Sequence, residues 1–122
     1  MSGATDMRMG LKQKLFRGFA DPSRLKVLEG LLDGPRCVSE LVKATRLRQS
    51  NLSMHLACLR DCGLVHSRRN GRFVYYELAN SEIIRLLQAA ERLLARVSQR
   101  IEACPRYQGD SPSRVQRGKA KR

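Results

Sequence analysis

The sequence lacks long hydrophobic runs and is poor in acidic residues. No apolar run among its 122 residues approaches the roughly 18 needed to span a bilayer. Residues 1–6 also lack the apolar stretch of a signal peptide. We therefore expect a cytoplasmic protein with no membrane partner. Because 42% of the residues are hydrophobic, global disorder is excluded and one folded domain is expected.

The sequence also lacks the usual marks of an enzyme. It has no Gly-rich phosphate loop, no suggestive pair of carboxylates and no evident base for a cysteine nucleophile. We therefore predict that it is not an enzyme and needs no organic cofactor. Without an export signal, its four cysteines are not expected to form a disulfide framework, which leaves metal binding, redox chemistry or packing as their roles.

The shortage of acidic residues makes the chain strongly basic. It has 24 Lys and Arg against 11 Asp and Glu, a formal net charge of +13. Residues 105–122 hold six basic residues and one acidic residue, so the other 104 residues still carry +8. A basic globular domain favours nucleic acid or an anionic membrane as its partner.

Apolar spacing and capping signals predict four helices in the first half of the chain. A first helix over 7–19 has apolar residues at every fourth position, and Asp21 caps a second helix over about 21–32. The predicted inward residues of the second helix are Leu25, Leu28 and Leu32. Short helices over 38–44 and 49–61 flank a tight turn, which is the pattern of a helix-turn-helix.

Two β-like runs follow, over 64–68 and 72–78, around Asn70-Gly71. Asn-Gly between β-forming residues is a strong hairpin signal. A helix-turn-helix followed by a basic hairpin predicts a winged helix, mainly α with a β-hairpin wing.

A long last helix is predicted over about 81–103, and it is apolar on more than one face. We expect it to bury its second face in a homodimer, formed through the first and last helices. The winged-helix and dimerisation domain is thus predicted to cover residues 1–104. The basic segment 105–122 is predicted to be a disordered tail.

The predicted fourth helix carries the residues expected to read DNA. Leu52, Leu56 and Leu59 form its buried stripe, and the opposite face of the helical wheel carries Ser50, Ser53, Met54, Ala57 and Asp61. In a helix-turn-helix this face reads bases in the major groove, while nearby arginines contact phosphates or the minor groove. The predicted DNA-binding residues are Arg46, Arg48, Gln49, Ser50, Asn51, Ser53, Arg68, Arg69 and Arg72. Alternatively, the arginines form a solvated face and the first helical residues are caps.

Three segments resemble the ArsR/SmtB family of winged-helix repressors. Residues 47–59 resemble its recognition helix, residues 20–24 the turn before its second helix, and residues 70–78 its wing. The resemblance implies a homodimer that represses an operon by binding double-stranded operator DNA and is released by an inducer, usually a metal ion. It also implies a role for His55 in DNA contact or helix packing, so His55 joins the predicted DNA-binding residues.

Cys58 and Cys62 lie four residues apart on the predicted reading helix. Adjacent turns bring two thiolates near enough to share a soft metal ion, although two buried small hydrophobes would need none. Segment 58–64 resembles that of cadmium- and lead-sensing family members. This implies Cd(II) or Pb(II) as the inducer and Cys104, from the partner subunit, as a third ligand. Cys37 lacks the second thiol of the family's Cys-Val-Cys box, and the last helix lacks the His and Asp of another family site.

Two ligands on the reading helix and one beyond the last helix would let a metal ion alter the separation of the two reading helices in a dimer. Two other functions stay open. One is a thiol-redox repressor on the same fold, with a Cys62–Cys104 disulfide. The other is an effector-free architectural protein that binds DNA or RNA through its positive charge. His55 could also serve as a fourth metal ligand.

Overall fold

The computed structural model describes residues 2–106, so most of the predicted tail lies outside the described residues. Residues up to Arg85 and residues from Leu86 onward form two compact units. The elements are α1 (Ser2–Ala20), α2 (Pro22–Gly30), β1 (Arg36–Cys37), α3 (Val38–Thr45), α4 (Gln49–Asp61), β2 (Val65–Asn70), β3 (Phe73–Leu78) and α5 (Ser81–Ala103). No helix in the described part of the chain is long and apolar enough to cross a membrane.

The start of α2 is fixed by the predicted cap. The Asp21 side chain accepts a hydrogen bond from the Arg24 backbone N–H at 2.9 Å, which satisfies one of the unpaired donors of the first turn. The prediction of its inward face was partly wrong. Leu25 is 36% exposed, whereas Val27, Leu28 and Leu31 are buried.

The wing belongs to a three-stranded antiparallel sheet with the order β1-β3-β2. The two-residue strand β1 was not predicted. The position of the hairpin turn was also wrong by one residue, because Asn70 pairs with Phe73 and leaves Gly71 and Arg72 as the turn. Gly71 has φ 67°, and a positive φ at the first turn residue suits glycine and the twist of a hairpin.

The core of the first unit forms around α4. Leu52, Leu56 and Leu59 are at most 1% exposed, as the helical spacing predicted. They face α2, α3 and β2, the elements that α4 contacts. Burying three leucines along one stripe holds the helix in a fixed rotation about its axis. The opposite face of α4 is therefore presented to solvent.

The first and last helices expose large apolar side chains in the single chain. On α1 they are Met7, Met9, Leu11, Leu15 and Phe16, and on α5 they are Leu93, Leu94 and Ile101. Met7 is 69% exposed and Leu93 is 59% exposed. These are the two helices that the sequence predicted to form a dimer contact.

Candidate nucleic-acid interface and thiol site

The turn between α3 and α4 is held by a buried threonine. The Thr45 hydroxyl donates to the Leu41 carbonyl at 2.7 Å and accepts from the Leu47 backbone N–H at 3.2 Å. Arg46 then takes a left-handed conformation, with φ 63°, which turns the chain sharply before α4. Arg48 precedes α4, and its carbonyl accepts from the Leu52 N–H at 2.9 Å. The turn thus exposes Arg46 and Arg48 beside the first turn of α4.

The exposed face of α4 holds the residues predicted to read bases. Gln49, Ser50, Asn51 and Ser53 are all exposed, whereas His55 is half-buried. One further residue on this face escaped the sequence-based prediction. The Met54 side chain is 60% exposed, although the helical wheel already placed it opposite the buried stripe.

The wing places basic side chains on both faces of the hairpin. Arg68 and Arg69 are consecutive in β2, so their side chains point to opposite faces. A Glu77 carboxylate oxygen lies 3.9 Å from Arg68 Nη1 and 2.8 Å from His66 Nε2. Arg72 lies in the exposed turn. The wing could therefore meet phosphates from more than one side.

The thiols of Cys58 and Cys62 line a cavity of about 310 Å³ on the side of α4 that faces α1. Its walls are mainly apolar, with two cationic side chains, Lys14 and Arg24. The remaining lining residues are Leu11, Leu15, Gly18, Leu59 and Leu64. The structure therefore brings together two of the three predicted metal ligands. Both are free thiols, a donor type that suits soft ions.

The protonation of this pair depends on its neighbours. Partial burial raises the pKa of the Cys62 thiol above its ordinary value, and the hydrogen-bonded Cys58 and the Asp61 carboxylate act in the same direction, whereas Arg24 opposes them. The Cys62 thiol is therefore protonated at neutral pH. A metal ion that binds there must displace its proton.

Arg24 joins α2 to the cavity. Its Nε is buried and has no hydrogen-bond partner, and a Cβ added at Gly18 of α1 would lie 3.8 Å from its Nη1. The positive charge of Arg24 acts to lower the pKa of Cys62, because it stabilises the thiolate form. The sequence offered no signal for this placement, because it depends on how α1, α2 and α4 pack.

The other two cysteines lie elsewhere. Cys37 is buried before α3, with its Sγ 3.3 Å from the Ser39 hydroxyl oxygen. Cys104 follows α5 in the second unit and is half-buried. Within residues 2–106, no group of three or more His, Cys, Asp and Glu side chains is placed to hold a metal ion. The cavity therefore offers a two-thiol site within one chain.

The chain is similar to known regulators over its winged-helix part. The sequence pattern described as "Bacterial regulatory protein, arsR family" matches residues 21–67. A probable mercury resistance operon repressor of Streptomyces lividans is 36% identical over 101 residues, which cover 83% of this chain and 81% of that protein.

Solved structures share the fold. The crystal structure of Mycobacterium tuberculosis Rv0081 matches with a TM-score of 0.70 and 40% identity, covering 76% of this chain and 95% of the other. The NMR structure of the cadmium metal-sensor CmtR from M. tuberculosis matches with a TM-score of 0.56 and 44% identity, covering 63% of this chain and 80% of the other.

Proposed function

This chain belongs to the arsR family of bacterial regulatory proteins, and we propose that it is a repressor whose homodimer leaves operator DNA when Cd(II) or Pb(II) binds its thiolates. It is a winged-helix transcriptional regulator and not an enzyme. One observation carries the proposal. The helix α4 holds the exposed polar residues and Cys58, and its C-cap residue Cys62 supplies the second thiol of the cavity.

DNA binding is proposed to use α4 and the wing. Gln49, Ser50, Asn51 and Ser53 offer hydrogen-bonding groups to base edges in the major groove. The exposed arginines of the turn and the wing neutralise phosphates, which fixes the register of the protein without reading sequence. The net charge of +13 supplies the long-range attraction.

A homodimer is proposed because the first and last helices expose apolar side chains that a second copy would bury. Two copies related by a two-fold axis would bring two α4 helices to successive major grooves, about 34 Å apart. Operator binding therefore depends on the separation and tilt of the two α4 helices.

Cys58 and Cys62 are the thiols proposed to hold the inducer, with Cys104 of the partner subunit as the third ligand. The donor chemistry supports this, because thiolates select soft ions. A bound ion would supply strong bonds to the sulfurs of α4. The similarity to a cadmium metal-sensor supports Cd(II), and the mercury repressor among the relatives makes Hg(II) a necessary comparison.

Release is proposed to follow from the rigidity of α4. A bound ion would displace the protons of Cys58 and Cys62 and would link their sulfurs to the proposed third ligand, Cys104 of the partner subunit. Any displacement of α4 that results would also move its exposed polar face, because Cys58 and the polar residues belong to one helix and Cys62 is its C-cap. By reciprocity, operator DNA weakens metal binding by the same factor, typically about 5- to 150-fold.

The proposal is tested with the reduced, full-length protein. A duplex is first selected from a random DNA library, and its binding is followed by fluorescence anisotropy during titration with Cd(II), Pb(II) and Hg(II) in reductant. We expect the protein to bind the selected duplex sequence-specifically. We expect it to release the duplex when about one metal ion has bound per thiol site. Ultraviolet thiolate-to-metal absorption should rise over the same range of metal concentration.

Three results would contradict parts of the proposal. Binding of all duplexes with equal affinity would indicate an architectural protein. Release by an oxidant, with no effect of metal ions under reducing conditions, would indicate a redox repressor. If the protein binds DNA specifically and only Hg(II) releases it, the repressor function would stand but the inducer would be Hg(II).

A further inference from the structure

The exposed face of α4 contains one large apolar side chain among its polar neighbours. Within this fully described helix, Met54 is 60% exposed, whereas Leu52, Leu56 and Leu59 are at most 1% exposed. The Met54 side chain therefore lies on the side of α4 opposite the buried leucines. Most of the Met54 surface is therefore accessible to a binding partner.

The position of Met54 along α4 places it next to the polar reading residues. Ser50 and Met54 are four residues apart and therefore share a face on adjacent turns. One helical turn rises about 5.4 Å, and one base step rises about 3.4 Å. A side chain one turn beyond Ser50 consequently reaches a base one or two steps further along the groove.

The major groove presents one apolar group for such a side chain. Each base edge there carries hydrogen-bond donors or acceptors, and thymine alone adds a C5-methyl group. Methionine suits this contact because its unbranched, polarizable thioether adapts to an irregular surface. A serine or an asparagine in its place would leave the methyl group without an apolar partner.

We propose that Met54 contacts the C5-methyl group of a thymine in each operator half-site and so determines specificity for thymine at that position. This proposal rests on the operator binding proposed above. It adds a reading residue that uses an apolar contact, beside those that use hydrogen bonds. Removing the methyl group of a thymine abolishes the apolar contact and leaves the hydrogen bonds to the bases intact.

The test replaces each thymine of the selected duplex, one symmetric pair at a time, with deoxyuridine. This change removes only the methyl group and keeps the hydrogen-bonding edge. Dissociation constants are measured for the metal-free wild type, Met54→Ala and Met54→Leu. Met54 is exposed, so all three proteins should have the same thermal midpoint.

For the wild type, we expect one symmetric thymine pair whose replacement weakens binding about fourfold per half-site, or about fifteenfold for both, from the transfer free energy of one buried methyl group. Met54→Ala should bind the unmodified duplex more weakly and lose its sensitivity at that pair alone. Met54→Leu should keep the sensitivity, because it keeps an apolar tip.

A deoxyuridine profile that is identical in wild type and Met54→Ala overturns the contact. So does a wild-type profile with no sensitive thymine. In both cases specific binding to the selected duplex would persist, and the proposed repressor function would stand. Failure to select any duplex would instead overturn the proposed function, and the Met54 contact with it.

Discussion

The two faces of α4 differ in what surrounds them. The outer face carries Gln49, Ser50 and Met54, all exposed to solvent. The side toward α1 carries Cys58 and, at the C-cap, Cys62, in a cavity with cationic and apolar walls. The leucine stripe holds the helix against α2, α3 and β2. The difference teaches that one helix can present an exposed polar surface and border a thiol cavity with separate residues.

This separation has a consequence for mutagenesis. A change on the outer face should alter DNA affinity and leave metal affinity intact, whereas a change in the cavity should do the reverse. Coupling should appear only when DNA and metal ion are present together.

The largest effect is expected from Cys58→Ser. Loss of a residue that only hydrogen-bonds to a metal ligand typically weakens metal binding by roughly 10- to 100-fold. Because Cys58→Ser removes a ligand itself, it should weaken Cd(II) binding by more than this. Metal-free DNA affinity should stay within about twofold of wild type, because Cys58 lines the cavity and lies outside the proposed reading residues. Competition with a chelating indicator and anisotropy measure the two constants.

Cys37→Ser is the matched control for that variant. Cys37 lies outside the cavity and before α3, so its replacement should leave Cd(II) affinity unchanged. Equal loss of metal affinity in both variants would show that the cavity is not the metal site.

Acidification should weaken metal binding steeply. Because the Cys62 pKa is raised, its thiol is protonated at neutral pH, and the proton competes with the ion. Below the thiol pKa, apparent affinity should rise about tenfold per pH unit for each proton displaced. Isothermal titration in buffers of different ionisation enthalpy counts the protons. Affinity that does not change between pH 6 and pH 8 would exclude thiols as the ligands.

Gln49→Ala should act on the outer face alone. Removing a base-reading side chain costs about 1–3 kcal/mol of DNA binding, with metal affinity unchanged. Anisotropy with the selected duplex and with single base-pair variants measures the loss of affinity and of specificity. A parallel loss of Cd(II) affinity would contradict the prediction that DNA binding and metal binding use separate residues.

The smallest effect is expected in the wing. Arg69→Ala should reduce the slope of log affinity against log salt by about one, without changing which sequence is preferred. Arg85→Ala is the control, because Arg85 is exposed on α5 and pairs with Glu82 at 2.6 Å. Equal changes in slope for both variants would indicate a general charge effect.

The sequence was enough to predict features that depend on local spacing. The leucine stripe of α4 follows from helical periodicity, and the Asp21 cap from its side-chain chemistry. The hairpin was predicted, but its turn was placed one residue early, since strand register is set by pairing with the partner strand. The strand β1 was missed because two residues carry no periodic pattern.

Features that depend on tertiary packing were not predictable in this way. Nothing in the spacing of Lys14 and Arg24 indicated that they would line the same cavity as Cys58 and Cys62. The exposure of Leu25 was likewise missed, because helical spacing alone does not determine which side of α2 its neighbours cover. The thiol pair itself was predicted, since helical spacing of four residues determines it.

One measurement tests the coupling between the two faces of α4 most directly. Cd(II) affinity of the reduced protein is measured with and without saturating operator duplex, in wild type and Cys62→Ser. We expect operator to weaken Cd(II) binding by about 5- to 150-fold in the wild type, equal to the factor by which Cd(II) weakens operator binding. Cd(II) affinities that are identical with and without DNA would contradict the proposed coupling.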